Sequence, residues 1–291
     1  MKLKEYIIER FLILSAYITI FTTIGIILVL SIEAVGFFKQ VSLLEFLTDT
    51  KWTPLFSEKH FGILPLLSGT LLTMCISIAF ALPIGLSIAI YLNEYAHRKF
   101  RESIKPMLEL LAAIPTVVYG FFALTVVTPF LQKFIPGMAG FNALSAGFVM
   151  GIMIIPFISS LSEDALYAVP KSMREAAYGM GSTRLQTAFR VTVPAASSGI
   201  ASSVILAISR AIGETMIVTI AAGQLPQLTF NPLQPIQTIT AYIVQVSSGD
   251  VPFGSVEHKT IFAAGITLFV FTFILNNISF LIKKKYQEKY E

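Results

Sequence analysis

The sequence is poor in the residues from which most enzymatic sites are built. Its single cysteine, Cys75, lies in an apolar run, which excludes an internal disulfide and leaves a buried thiol as its role. The three histidines, His60, His97 and His258, are far apart, and no HExxH or Cys/His cluster supplies a metal set. No Walker A sequence occurs, so the chain has no ATP-binding loop of its own. Charged residues make up only 13% of the 291 positions against 55% hydrophobic, which excludes a soluble core and makes lipid the main solvent. The net charge of +4 does not indicate nucleic acid, because the basic residues flank apolar runs instead of lining a polar face. No internal repeat is visible, which argues against an ATP-independent secondary carrier.

What is present is a series of long apolar runs. Six spans are predicted, at about Phe11–Ile32, Ile63–Leu92, Met107–Phe130, Leu144–Leu161, Ala195–Ala222 and Ile261–Ile282. The first follows Lys2, Lys4 and Arg10 in the manner of a signal peptide, but it is too long and lacks a small-x-small cleavage site, so an uncleaved span is expected. Basic residues set the orientation. Arg98, Lys99, Arg101 and Lys105, then Lys171, Arg174, Arg184 and Arg190, then Lys283, Lys284, Lys285 and Lys289 fall on the side of the N-terminal cluster. Lys39, Lys51, Lys59, Lys133 and Lys259 fall on the other, so both termini are expected in the cytoplasm. Prolines 65, 83, 106, 115, 129 and 156 should bend spans around a pathway, and Gly147 and Gly151 form a small-xxx-small pair suited to helix packing. Residues 38–61, around Trp52, could lie at the interface or form an extracytoplasmic cap. After the fifth span, Ile236, Ile239, Ile243 and Val246 share one side of a helix started by Pro235, which could lie on the outer surface, pack on the bundle or meet a partner.

Between the fourth and fifth spans runs a short polar stretch, SMREAAYGMGSTRLQTAFRVTVP. Ser172 and Glu175 have capping-box spacing, which predicts a helix from about Met173. Gly179 and Gly181 should end it, Ser182 or Thr183 should cap a second short helix, and Pro194 should mark the next break. Ala176, Ala177 and Gly181 leave room for another surface to come close, with Arg174 and Glu175 at its edge. An ordinary loop between spans is the plain alternative.

The fifth span holds SRAIGET. Arg210 lies roughly 20 Å along the helix from Pro194, inside the bilayer. An arginine there costs about 3 kcal/mol on insertion scales, which makes function the default reading. Glu214, four residues on, is expected on the same face as an ion-pair partner, with Ser209 and Thr215 as nearby donors. A buried pair that only fixes helix packing is the alternative.

Glu175-Ala176-Ala177, Gly181 and the Val191-Thr192-Val193-Pro194 ending resemble the EAA signature of the membrane subunits of ABC importers, with valines where isoleucine and leucine are more usual. Together with residues 61–96, LLAAIPTVVYGF from Leu110, and SRAIGETM, the stretch from Phe61 to Ile282 resembles the PstC family of phosphate-importer permeases. The sister PstA family more often has Gly-Val where this chain has Ala113-Ile114. The resemblance implies an all-α membrane protein of the type I (MetI-like) permease fold. It implies residues 1–60 as a span and external segment, and 61–291 as the transmembrane domain with a cytoplasmic coupling loop at 170–194. The ATPase-coupling residues would be Ser172, Arg174, Glu175, Ala176, Ala177, Gly181, Val191 and Pro194, and the phosphate path would use Ser209, Arg210, Glu214 and Thr215. It further implies a PstA-like second permease, a PstB-like ATPase pair holding the ATP and magnesium, and a PstS-like phosphate-binding protein, in a bacterial or archaeal plasma membrane. This chain would itself hold no cofactor. A permease for sulfate or molybdate, and an added role in phosphate signalling, stand as alternatives.

Overall fold

The computed structural model describes residues 2–286, so Lys289 of the C-terminal basic cluster lies outside the described residues. The chain is helical: α1 (Lys2–Phe38), α2 (Leu43–Thr48), α3 (Leu64–Glu94), α4 (Arg98–Ala112), α5 (Thr116–Phe122), α6 (Thr128–Gln132), α7 (Ala143–Tyr167), α8 (Lys171–Gly179), α9 (Arg184–Thr187), α10 (Val193–Ala195), α11 (Ser197–Ile212), α12 (Met216–Ala221), α13 (Ile239–Ser247) and α14 (Val256–Tyr286). Among the described residues, four helices are long and apolar enough to cross a membrane, and two bent helix pairs bring the number to as many as six. The protein is a multi-pass membrane protein.

The centre of the bundle is the α3–α7 pair, and glycines set its spacing. A Cβ on Gly147 would stand 2.8 Å from the Ile76 side chain, and one on Gly151 would stand 3.0 Å from the Phe80 ring and the Ser77 carbonyl. The small-xxx-small pair therefore serves helix packing, letting the backbones approach where lipid supplies no hydrophobic drive. Around it α1 packs on α14, with Gly265 against Leu30, and leaves Phe11, Leu12 and Phe21 on the outside, as a lipid-facing helix must.

Two predicted spans are broken. In place of one helix over Met107–Phe130, α4 meets the Thr116–Gln132 segment at 82°. Pro115 has no N–H to continue the ladder and forces the preceding backbone out of the helical region. Helix α4, with apolar residues only along one stripe and none of its residues buried, runs off across the end of the bundle. The predicted Ala195–Ala222 span is interrupted twice. The chain turns by 73° at Ala196, and α11 ends at Ile212 before α12 restarts at Met216.

Not every proline bends its helix. Pro129 and Pro194 follow π-helical turns, Ala123–Val127 and Ala188–Thr192, in which the wider turn absorbs the missing N–H. In each, a buried threonine hydroxyl donates five residues back, Thr128 to the Ala123 carbonyl at 2.9 Å and Thr192 to the Thr187 carbonyl at 3.4 Å. Pro65 sits in the first turn of α3, where no N–H is needed.

At the α1/α3 end, residues 38–61 form a packed cap. Trp52 is 1% exposed and meets Tyr242 edge to face at 5.0 Å, within a cluster that includes Phe37, Phe46 and Phe61. Of the alternatives for the later segment, packing on the bundle is the one observed. Thr238 caps α13, Ile236, Ile239 and Val246 are buried, and Ile243 packs beside them.

Candidate functional site

At the opposite end, the polar stretch folds as two short helices joined at a glycine. Its entry differs from expectation: Pro170 precedes the first helical residue, Lys171, and no side chain caps the turn, so the Ser172–Glu175 capping box does not form. The fixed φ of Pro170, −55°, starts the helix two residues earlier than a cap at Ser172 would. The exit is as expected. Gly181 takes φ +84°, which a residue with a Cβ reaches only at a cost, and it reverses the chain after α8. Thr183 and Gln186 then form a complete capping box, with Thr183 Oγ1 accepting the Gln186 N–H at 3.3 Å and Gln186 Oε1 accepting the Thr183 N–H at 2.9 Å. The next break falls two residues beyond Pro194, at Ala196.

Arg174 faces inward instead of lying at a docking edge. Its Nη2 donates to the Leu166 carbonyl at 2.7 Å, and Nε stands 3.5 Å from the Glu94 carboxylate, an ion pair without an aligned hydrogen bond. This side chain ties α8 to the ends of α3 and α7. The outer face is left to Ser172, Glu175 and Ala176, with Ala177 and Val191 half-buried, Pro194 exposed, and open space where a Gly181 side chain would be. Apolar residues of this loop are exposed as well, a feature missed in the sequence: Met180 is 88% exposed, and Tyr178, Leu185 and Phe189 are exposed too. Glu175 and Tyr178 further line a cleft of about 520 Å³ with Arg98, Lys171 and Arg184.

A second charge cluster was also missed. Glu163 in α7 has a side chain only 1% exposed, and Lys105 Nζ reaches its Oε2 at 3.1 Å. The Arg101 guanidinium pairs with Oε1 without aligning a hydrogen bond and stacks on Tyr167, 4.1 Å from the ring centroid; Lys105 also pairs with Asp164. This cluster fastens α4 to α7. No local spacing signals it, because the partners are about sixty residues apart.

Arg210 lies in the last turn of α11 and is exposed. Its guanidinium lies 5.9 Å from the Phe157 ring centroid, and among the described residues no carboxylate pairs with it. The expected Arg210–Glu214 ion pair does not form, because the helix that would have stacked the two side chains stops at Ile212. Buried Glu214 turns to the new helix, its Oε1 accepting N–H groups from Met216 at 3.0 Å and Ile217 at 3.3 Å. A carboxylate suits the positive end of a helix, and it satisfies two otherwise orphaned donors. The Thr240 hydroxyl donates to the Glu214 carbonyl at 2.6 Å and anchors the break to α13. Ser209 stays beside Arg210 on α11 and donates to Asn276 Oδ1 at 2.9 Å, while Thr215 donates locally to the Gly213 carbonyl.

This architecture is that of ABC importer membrane subunits. The membrane chain matched in the crystal structure of a bacterial ABC transporter for the acidic polysaccharide alginate superposes with TM-score 0.61 over 92% of this chain and 93% of that one, at 18% identity. The chain belongs to the family of binding-protein-dependent transport system inner membrane components, whose sequence model matches residues 81–288. Within that family it is 37% identical over 249 residues to the phosphate transport system permease protein PstC of Mesorhizobium japonicum, covering 79% of this chain and 75% of that one. It is 36% identical over 261 residues to the probable ABC transporter permease protein YqgH of Bacillus subtilis, covering 89% and 84%.

Proposed function

We propose that this chain forms half of the translocation pathway of an ATP-driven phosphate importer. The observation that carries the reading is Arg210, a permanent cation on a membrane helix, exposed and without a carboxylate partner among the described residues. Such a group costs too much to keep for packing alone, and it suits an anionic substrate. Relatives named as phosphate permeases favour phosphate over sulfate or molybdate, which Arg210 would attract equally well.

In this reading the chain crosses a bacterial or archaeal plasma membrane six times, each bent pair supplying one span, with both termini inside. The gathering of Arg98, Arg101, Lys105, Lys171, Arg174 and Arg184 around one end of the bundle supports that orientation. The 170–194 loop couples to a PstB-like ATPase dimer, which holds the ATP and magnesium, while a PstA-like permease completes the pathway and a PstS-like protein delivers phosphate outside. Ser172, Glu175, Ala176 and Gly181 with the exposed Met180 present the docking face, and Arg174 keeps it in position. The division into 1–60 and 61–291 assigns coupling and passage to the second part. Pull-down of the chain from native membranes tests this: an ATPase should co-isolate and be lost with Glu175→Arg. Uptake driven by an ion gradient through the purified chain alone would overturn it.

A further inference from the structure

Two adjacent asparagines, Asn276 and Asn277, interrupt the apolar α14 sequence FTFILNNISF. They are used differently. The Asn277 amide donates to the Phe273 carbonyl of its own helix at 2.8 Å, the ordinary way to satisfy a polar group in a membrane helix. Asn276 makes no such bond and crosses to α11, where its Oδ1 accepts the Ser209 hydroxyl at 2.9 Å. In this structure the amide turns its oxygen to Ser209. Its oxygen is occupied, and its Nδ2 group, at an exposed position, donates to no described residue.

A carboxamide with only its N–H side free is a donor, and donors line paths for anions. Its neighbours are placed to act with it. Helical spacing gathers Leu206, Ser209 and Arg210 on one strip of α11. Phe157 of α7 bounds that strip beside Arg210, and Asn276 of α14 bounds it beside Ser209. We infer that Asn276 is a further substrate contact, its Nδ2 group donating a hydrogen bond to the tetrahedral oxyanion that Arg210 attracts. The inference rests on the phosphate-pathway reading. It adds that Ser209 acts as a positioning residue, holding the amide with its donor side to the path.

The test is phosphate uptake in proteoliposomes carrying the complete importer, expressed per recovered complex. Asn276→Leu, neutral and of similar volume, should lower uptake about tenfold or more, as loss of a hydrogen bond to a charged group does. Ser209→Ala, which leaves the amide in place but frees it to turn, should cost less, roughly threefold. Asn276→Asp keeps an acceptor for Ser209 while presenting a negative charge to the anion, and should be at least as damaging as the leucine variant. Equal losses in Ser209→Ala and Asn276→Leu, or normal uptake in Asn276→Asp, would mean that the amide serves only the helix contact, and would overturn the inference. Arg210→Ala in the same preparation separates the two readings. Loss there with normal Asn276 variants overturns the Asn276 assignment alone, whereas normal uptake there overturns the pathway itself.

Discussion

Arginine is used in opposite ways in two regions of this molecule. At the α4–α7 junction, Arg101 shares the buried carboxylate of Glu163 with Lys105, and Arg101 also stacks on a tyrosine ring. In the last turn of α11, Arg210 has among the described residues the distant Phe157 ring and no carboxylate, and the carboxylate four residues away caps another helix. The first region has the chemistry of a fastener: its charges are paired with one another. The second keeps a charge in reserve. A cation kept in a membrane helix without a carboxylate partner is a functional-site hypothesis by default.

The comparison can be broken from either side. The largest loss of stability is expected for Glu163→Ala, which takes the carboxylate from Arg101, leaves Lys105 with Asp164 alone and opens a buried gap, at a cost of about 2 kcal/mol. Thermal unfolding of the purified complex should show the loss, and an unchanged midpoint would mean that α4 is held by other contacts. Next comes Gly181→Val, which forces a β-branched residue to φ +84° and should cost roughly 1–2 kcal/mol of backbone strain. Because no neighbour lies within 4 Å of the position, the effect should come from the turn and not from bulk. Gly181→Asn should therefore keep ATP hydrolysis coupled to uptake where valine uncouples it, and equal coupling in both would refute the assigned role of the turn. The smallest effect is expected for Glu214→Gln, since the amide oxygen can still accept from Met216 and Ile217, a change of about 1 kcal/mol or less. A loss as deep as that of an Arg210 variant would place Glu214 itself in the pathway.

Features set by local chemistry were legible in the sequence. Gly181 and Thr183 needed only backbone preference and a hydroxyl three residues from a glutamine, and the Gly147/Gly151 pair needed only its spacing. Features set by chain continuity or by distant partners were not. The Arg210–Glu214 pair assumed an unbroken helix across Gly213, whereas the glutamate itself makes the break workable by capping α12. Arg174 was read as an edge residue because its partners, Glu94 and the Leu166 carbonyl, come from the ends of other helices. The prolines of the third span signalled a bend, but not its size: apolar residues continue from α4 into α5 across Pro115, and the 82° turn there depends on α4 being held by charged partners on α7.

The most direct test of the central claim is phosphate uptake and ATP hydrolysis measured together in vesicles carrying the complete importer with Arg210→Ala. Uptake reduced at least tenfold, with assembly and basal hydrolysis retained, is the predicted result for an unpaired cation that meets the substrate. Normal uptake at matched expression would contradict it and leave Arg210 as a structural residue.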